Sequence, residues 1–205
     1  MLTLHDDPIS GNGYKIRLLL AFLETPYHYK AYDILKGETR TAEFLGTVNP
    51  GGRIPVLEID DGRKLAESNA VLIYLAEGTS WIPRDPFIKA QMMSWLFWEQ
   101  YSHEPNIATL RFWKHLPELT DVQKAQLGSK RSAGEAALAL MNMQLSHTNW
   151  LVGDGPTLAD IALYAYTHVA EEGDYNLSIY PAVQTWIDRF AALPNYVSIT
   201  DPGGS

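Results

Sequence analysis

The sequence predicts an α/β domain over residues 1–77 followed by an all-helical domain over residues 87–205, and three observations carry that division. Up to Glu77, strand-like and helix-like segments alternate in the order β-α-β-α-β-β-α. Residues 78–86 contain Gly78, Thr79, Ser80, Pro83 and Pro86, the composition of a linker. Beyond Pro86 strand signals nearly vanish, and long apolar stripes at helical spacing replace them. Each kind of layer must bury its own apolar face, so a lasting change of period marks a change of domain.

In the first domain, Met1 to Leu4 is apolar and short, a first strand. Pro8, Ser10, Gly11, Asn12 and Gly13 are turn formers and predict a loop. Ile16, Leu18, Leu19, Leu20, Phe22 and Leu23 then follow at helical density, with Lys15 and Arg17 interspersed, and the helix closes before Pro26. Tyr27 to Ile34 is aromatic-rich with two-residue spacing, a second strand. Lys36 to Asn49 is polar around Phe44 and Leu45, a short helix between loops. Val56, Leu57 and Ile59 give a third strand. Asp60-Asp61-Gly62 signals a hairpin leading into a partner strand at Lys64 to Ala66. Ser68 is a good N-cap for a helix carrying Val71, Leu72 and Leu75.

In the second domain, Phe87 to about Lys114 reads as one long helix kinked at Pro105. Thr120 with Gln123 forms a capping box that opens a helix reaching about Leu145, and Gly128 and Gly134 within it allow close approach of a neighbour. Thr157 with Asp160 forms a second box ahead of Ile161, Ala162, Tyr164 and Ala165. Pro181, suited to a first helical turn, opens a last helix bearing Val183, Trp186, Ile187 and Phe190. The Gly/Ser-rich end after Asp201 is expected to fray.

Composition excludes several functions. The 205 residues are 46% hydrophobic and 20% charged, enough apolar surface for a packed core. The net charge of −8 argues against nucleic acid as a main partner, because neutralising phosphates needs a basic face. With no Cys, neither a disulfide scaffold, nor a Cys-ligated metal, nor a protein thiol nucleophile is available. The six His are scattered, so no metal site is expected. No basic-then-apolar leader and no bilayer-length apolar run appear, and the expected setting is cytoplasmic and free of membrane.

One stretch is anomalous. Gly52-Arg53-Ile54-Pro55-Val56-Leu57 puts a Pro at the entrance of an apolar strand, where it would delete a ladder hydrogen bond. A cis Ile54–Pro55 bond would turn the Ile54 backbone outward, able to pair with a peptide-like ligand. The pair Glu67-Ser68, just ahead of a helix, would then hold the charged end of that ligand. An ordinary edge-strand Pro and an ordinary helix cap explain the same residues, and the spacing alone leaves both readings open.

Arg53-Ile54-Pro55-Val56-Leu57, Glu67-Ser68-Asn69-Ala70-Val71-Leu72-Ile73-Tyr74-Leu75 and Thr157-Leu158-Ala159-Asp160-Ile161-Ala162 together, in this order and spacing, resemble the cytosolic glutathione S-transferase superfamily over nearly the whole chain. The likeness is to bacterial-type members with a Ser-type rather than Cys-type loop. It implies a thioredoxin-like first domain, glutathione as co-substrate and a homodimer. It implies that Ile54, ahead of the cis-Pro55, pairs with the cysteinyl unit. Glu67 and Ser68 take the γ-glutamyl end, Arg53 the glycyl carboxylate, and Lys36 is a second candidate there. Thr157 and Asp160 belong to folding.

The implied reaction is a detoxification-type conjugation of the glutathione thiolate with a hydrophobic electrophile. A thiol with a pKa near about 8.5 must lose its proton, and each unit of depression requires about 1.4 kcal/mol of preference for the thiolate. A hydroxyl or amide donor at a helix N-terminus can supply about one or two units. The resemblance puts that donor in Ser10-Gly11-Asn12-Gly13-Tyr14: Ser10 first, Asn12 second, Tyr14 third. Without Cys the chain is not expected to act as a thiol-disulfide reductase. An electrophile pocket is expected between the domains, with Tyr101 and His103 as its candidates and Phe97, Trp98, Asn106 and Arg111 nearby. Glutathione-dependent peroxidase, isomerase or dehalogenase chemistry on the same site, and a non-enzymatic binding module, are the competing functions.

Overall fold

A computed structural model of the chain describes residues 1–204. It divides into two compact units: residues 1–78 together with the C-terminal segment from Pro194, and residues 79–193.

The first unit is built on strands β1 (Leu2–Asp6), β2 (Tyr27–Ala31), β3 (Val56–Glu58) and β4 (Lys64–Ala66), with helices α1 (Gly11–Phe22), α2 (Ala42–Thr47) and α3 (Ser68–Ala76). The sheet order is β2-β1-β3-β4; β1 and β2 are parallel and the other two pairs antiparallel, the mixed thioredoxin-like arrangement. Leu4 lies opposite Leu57, which lies opposite Leu65, so one face of the pleat carries aliphatic residues from three strands. Ile16 and Leu20 of α1 and Val71 of α3 close over that face. At about 25 cal/mol per Å² of apolar surface removed from water, a few such side chains outweigh any single hydrogen bond in the unit. Gly62, at φ 83, turns the β3–β4 hairpin.

Two boundaries differ from the sequence reading in ways that matter for function. The loop after β1 ends at Ser10, not Gly13. The Ser10 Oγ accepts the Gly13 N–H at 3.1 Å, so the backbone is helical from Gly11, and Asn12 and Gly13 belong to the first turn. In α3 the residue expected as N-cap, Ser68, is the first helical residue. The cap position is Glu67, at φ 68, and no side chain caps the helix.

The C-terminal segment also departs from expectation. The sequence placed it in the helical domain and expected fraying after Asp201. It groups with the first unit, which grips carbonyls of residues 197–201, ahead of the end expected to fray, and the Pro202 carbonyl of that end. Tyr14 Oη donates to the Val197 carbonyl at 2.7 Å, Arg17 Nη1 to the Ile199 and Asp201 carbonyls at 2.8 Å each, and Tyr27 Oη to the Pro202 carbonyl at 2.7 Å.

The second unit contains α4 (Pro86–Trp98), α5 (Glu104–Trp113), α6 (Asp121–Leu145), α7 (Leu158–Thr167) and α8 (Pro181–Ala191). The long helix expected through Pro105 is two helices joined by a π-helical turn, Glu99–His103. Pro105 has no N–H for the carbonyl four residues back, and its ring crowds that carbonyl. The wider turn just upstream absorbs the mismatch. Both capping boxes form as expected, at Thr120/Gln123 and Thr157/Asp160. Gly134 permits the close approach foreseen, since a Cβ there would fall 2.2 Å from the Tyr175 hydroxyl; Gly128 faces open space. Among the described residues no helix is long and apolar enough to cross a membrane.

Asp160 does more than close its box. Its fully buried carboxylate accepts from the Leu151 N–H at 3.0 Å, the Thr157 N–H at 2.8 Å and the Trp186 indole N–H at 3.0 Å. It therefore ties α7, the segment before it and α8 to one point. Burial pushes its pKa up to about 6, even though the donors around it favour the charged form. Asp160→Ala leaves these donors buried without an acceptor. The expected loss is about 3 kcal/mol or more of stability, read as a lower urea midpoint at unchanged slope.

Candidate functional site

Two helix N-termini meet in the first unit. The Ser68 Oγ donates to the Asn12 Oδ1 at 3.2 Å, joining the first turn of α3 to the first turn of α1. Lys15 Nζ donates to the Ser68 Oγ at 3.3 Å and reaches Asn69 Oδ1 at 3.5 Å. Lys15 has no exposed surface and Ser68 is buried, whereas Asn12 and Ser10 are half-buried. Neither helix carries an acidic residue in its first turn. The spot thus combines two positive helix ends and an ammonium, and an anion is favoured there.

The local sequence explains this placement. In α1 Gly11 and every residue from Gly13 to Leu20 are buried, so the helix has no solvent face. A Lys in such a helix must find polar partners inside the protein, and Ser68 and Asn69 supply them. The bond from Ser68 orients the Asn12 amide, leaving its Nδ2 as the donor end. Ser10, at the cap, uses its oxygen to accept the Gly13 N–H and makes no hydrogen bond as a donor among the described residues.

The Ile54–Pro55 bond is cis. Among the described residues the Ile54 main chain makes no hydrogen bond, since β3 begins two residues later at Val56. Glu67 has an exposed side chain on a left-handed backbone, a conformation that costs a non-Gly residue about 1 kcal/mol or more and recurs at ligand clamps. Arg53 is exposed and makes no ion pair among the described residues. Lys36 is different: its ammonium is paired with Asp33 at 2.9 Å on an exposed turn, so the solvated reading of that residue is the one the geometry supports.

Beneath the first turn of α1 lies a charge pair that the sequence reading missed. Asp6, at the end of β1, and Arg17 are both fully buried, with Oδ2 and Nε 3.2 Å apart. The Arg17 Nη2 also donates to the carbonyl of Pro8 at 3.1 Å and reaches that of Ser10 at 3.5 Å. Gly13 lies over the Asp6 carboxylate, and a Cβ at that position would fall 1.7 Å from Oδ1, so only Gly fits. Burial raises the Asp6 pKa to about 7, with Arg17 opposing the shift. The signal was present in the sequence: Lys15 and Arg17 sit inside an otherwise apolar run, and a charge there needs a buried partner.

The helical candidates separate. Tyr101 is 85% exposed. His103 is buried, with Nε2 2.8 Å from the Thr167 Oγ1, and is corrected from pocket candidate to core residue. Arg111 is largely buried and bound to Glu172 at 2.6 Å, and the Asn106 amide donates to the Ser102 carbonyl, so both serve their own unit. Phe97 is exposed, and Trp98 packs edge-on against Trp95. Among the described residues no cluster of three or more His, Asp or Glu could hold a metal ion.

This fold and the paired motifs define a class. The glutathione S-transferase N-terminal domain matches residues 2–77 and the C-terminal domain residues 93–194, and the chain belongs to the cytosolic glutathione S-transferase superfamily. A glutathione S-transferase from Pseudomonas fluorescens Pf-5 is 46% identical, with a TM-score of 0.93 over 98% of this chain and 99% of that one. The disulfide-bond oxidoreductase YfcG of Escherichia coli K12 is 29% identical over 95% of this chain and 92% of its own length. Ure2p in complex with glutathione shares the fold, with a TM-score of 0.82 over 95% of this chain and 90% of that one, at 23% identity.

The Asp6 shift makes a pH prediction. Its folded pKa, about 7, lies above the ordinary 3.8, so the native chain holds a proton that the unfolded chain releases between those values. The stabilisation from that proton is complete below the lower value and is lost as pH rises through the upper one. Asp6→Asn is expected to flatten the dependence of the urea midpoint on pH across this window, measured against the unaltered chain.

Proposed function

We propose that this chain is a glutathione S-transferase that adds the glutathione thiolate to a hydrophobic electrophile. The observation that supports it most is the meeting of the α1 and α3 N-termini through Asn12, Ser68 and Lys15, in the same unit as an Ile54 main chain that makes no hydrogen bond among the described residues. Main-chain pairing at Ile54 suits the cysteinyl unit of the tripeptide. The α3 N-terminus and Ser68 suit the γ-glutamyl carboxylate, Glu67 its ammonium, and Arg53 the glycyl carboxylate. Ser10, with Asn12 second, donates to the sulfur and favours the thiolate. In the reaction the sulfur lone pair forms the bond to carbon, and the leaving group departs with its electron pair. Holding both reactants in line contributes as much as the pKa shift. The family membership, the 46% identical transferase and the glutathione complex of a protein of this fold agree with the reading.

The likeness to a disulfide-bond oxidoreductase favours one second reading. The lack of Cys removes a protein thiol from any exchange, but bound glutathione brings its own. Its thiolate can attack a disulfide, forming a mixed disulfide and releasing the other sulfur as a thiolate. The same binding residues serve both reactions, so the expectation that this chain cannot act on disulfides is narrowed to mechanisms that need a protein Cys.

The reading extends to a cytoplasmic homodimer. Phe87 at 72% exposed and Phe97 at 62% exposed are apolar surface that an assembly would cover, and light scattering tests it.

Turnover of an aryl halide with glutathione, against a small disulfide as the alternative substrate, decides between the reactions. Glutathione binding with no turnover of either would sink both. Ser10→Ala is expected to raise the bound-thiol pKa by about one unit, read by thiolate absorbance. An unchanged titration moves the role to Asn12, for which Asn12→Ala gives the matching measurement.

A further inference from the structure

The C-terminal segment reaches the same loop that presents Ser10 and Asn12, through a single side chain. Arg17 is 1% exposed and spends its guanidinium on two places at once. Nη1 donates to the carbonyls of Ile199 and Asp201. Nη2 donates to the carbonyl of Pro8 and reaches that of Ser10. Nε faces the Asp6 carboxylate, which lies directly beneath Gly13. Two flanking bonds hold the segment on either side of Arg17: Tyr14 to the Val197 carbonyl, and Tyr27 to the Pro202 carbonyl.

Apart from the Tyr196 hydroxyl, which accepts from Tyr14 at 3.1 Å, the acceptors on the segment are main-chain carbonyls, so the clamp depends mostly on the path of the segment. Arg17 needs that path. Without the two C-terminal carbonyls a buried guanidinium loses acceptors it cannot replace from water, and it would shift toward solvent. The carbonyls of Pro8 and Ser10 would then lose their link to the C-terminal segment, and Ser10 would keep only its local bonds, from the Tyr14 N–H to its carbonyl and from the Gly13 N–H to its Oγ. The Asp7 carboxylate, accepting the Ile9 and Ile34 N–H groups at 3.0 Å each, fixes the start of this loop, and Arg17 is the side chain that ties its later carbonyls to the C-terminal segment; positioning a thiolate donor demands sub-ångström tolerance at that end.

We infer that the C-terminal segment, residues 196–202, is a positioning strap for the Ser10–Asn12 turn, with Arg17 as the positioning residue that transmits it. The inference rests on the proposed role of that turn. The strap does not touch glutathione. It sets the geometry of the donor while the Ile54, Glu67 and Ser68 contacts keep the affinity.

Two full-length variants test this. Arg17→Lys keeps a positive charge for Asp6 but cannot span the loop and the strap together. Gly203→Val combined with Gly204→Val leaves Arg17 and the loop untouched. It places side chains against Tyr27 at positions of φ +57 and +69, where a Cβ would meet the Tyr27 hydroxyl at 2.5 Å and the Tyr27 carbonyl at 2.9 Å, lifting the strap. Three quantities are measured: amide hydrogen exchange at Asn12, Gly13 and Tyr14 without ligand, glutathione affinity by calorimetry, and kcat with the bound-thiol pKa. The expected result is faster exchange at those three amides in both variants. With it, kcat falls about 10- to 100-fold, the thiol pKa rises, and glutathione affinity changes less than about threefold. Unchanged exchange in the glycine variant overturns the inference, as does a wild-type kcat and thiol pKa in Arg17→Lys. Should the unaltered chain neither bind nor turn over glutathione, the proposed function fails, while the exchange measurement still decides whether the strap orders the turn.

Discussion

Helix α1 has no solvent face, and the first unit is arranged around the consequence. A charge in such a helix loses its water and must be met by the protein, or the fold forfeits several kcal/mol. Arg17 is met by Asp6 from β1 and by four carbonyls, two from the loop and two from the C-terminal segment. Lys15 is met by Ser68 and Asn69 at the start of α3. These demands fix the rotation of α1 about its axis, and with it the direction in which Ser10 and Asn12 point. The apolar contacts of Ile16 and Leu20 with the sheet supply most of the stability, but they tolerate small slips that a buried ion pair does not.

The same economy places the candidate site. A helix end that received an acidic residue or a side-chain cap would satisfy itself. Helix α3 has no acid in its first turn and no side-chain cap, and the residue at its cap position, Glu67, sits at φ 68 with its side chain exposed rather than turned back onto the helix. Helix α1 is capped by Ser10, yet the hydroxyl proton is not consumed by that bond. Among the described residues the Ile54 main chain, just ahead of the cis Pro55, is likewise unpaired. Each of these is a local cost in the isolated fold, and all lie in one unit. Costs of this kind persist where a ligand recovers them.

The helical unit shows the opposite pattern. Its polar residues are consumed by its own structure: Asp160 by three donors from separate segments, His103 by Thr167, Arg111 by Glu172. This is why the sequence pointed to His103 mistakenly. A His at the end of an aromatic stripe reads the same whether it faces a pocket or the core, because period alone gives no direction in space. The capping boxes, by contrast, were fully legible, since both partners lie within three residues of each other. The π-helical turn before Pro105 was half legible: Pro marks that the ladder must break, but not how the preceding turn takes up the slack.

What the sequence determined by itself was local or periodic. The alternation up to Glu77, the helical stripes after Pro86, the hairpin at Gly62, the two boxes and the three motifs that carry the family resemblance all depend on residues near one another in the chain. Tertiary structure decided the pairings across long separations. Ser68 looked like a helix cap and became instead the partner of Asn12 and Lys15, more than fifty residues upstream. The segment after α8, which the sequence assigned to the helical domain, became an acceptor row, with Val197, Ile199 and Asp201 held by Tyr14 and Arg17 and Pro202 by Tyr27. The physical reason is the same in both cases. A hydroxyl or a carbonyl can be satisfied by its neighbours, by water or by a distant donor, and only burial, which the folded chain creates, removes the first two choices.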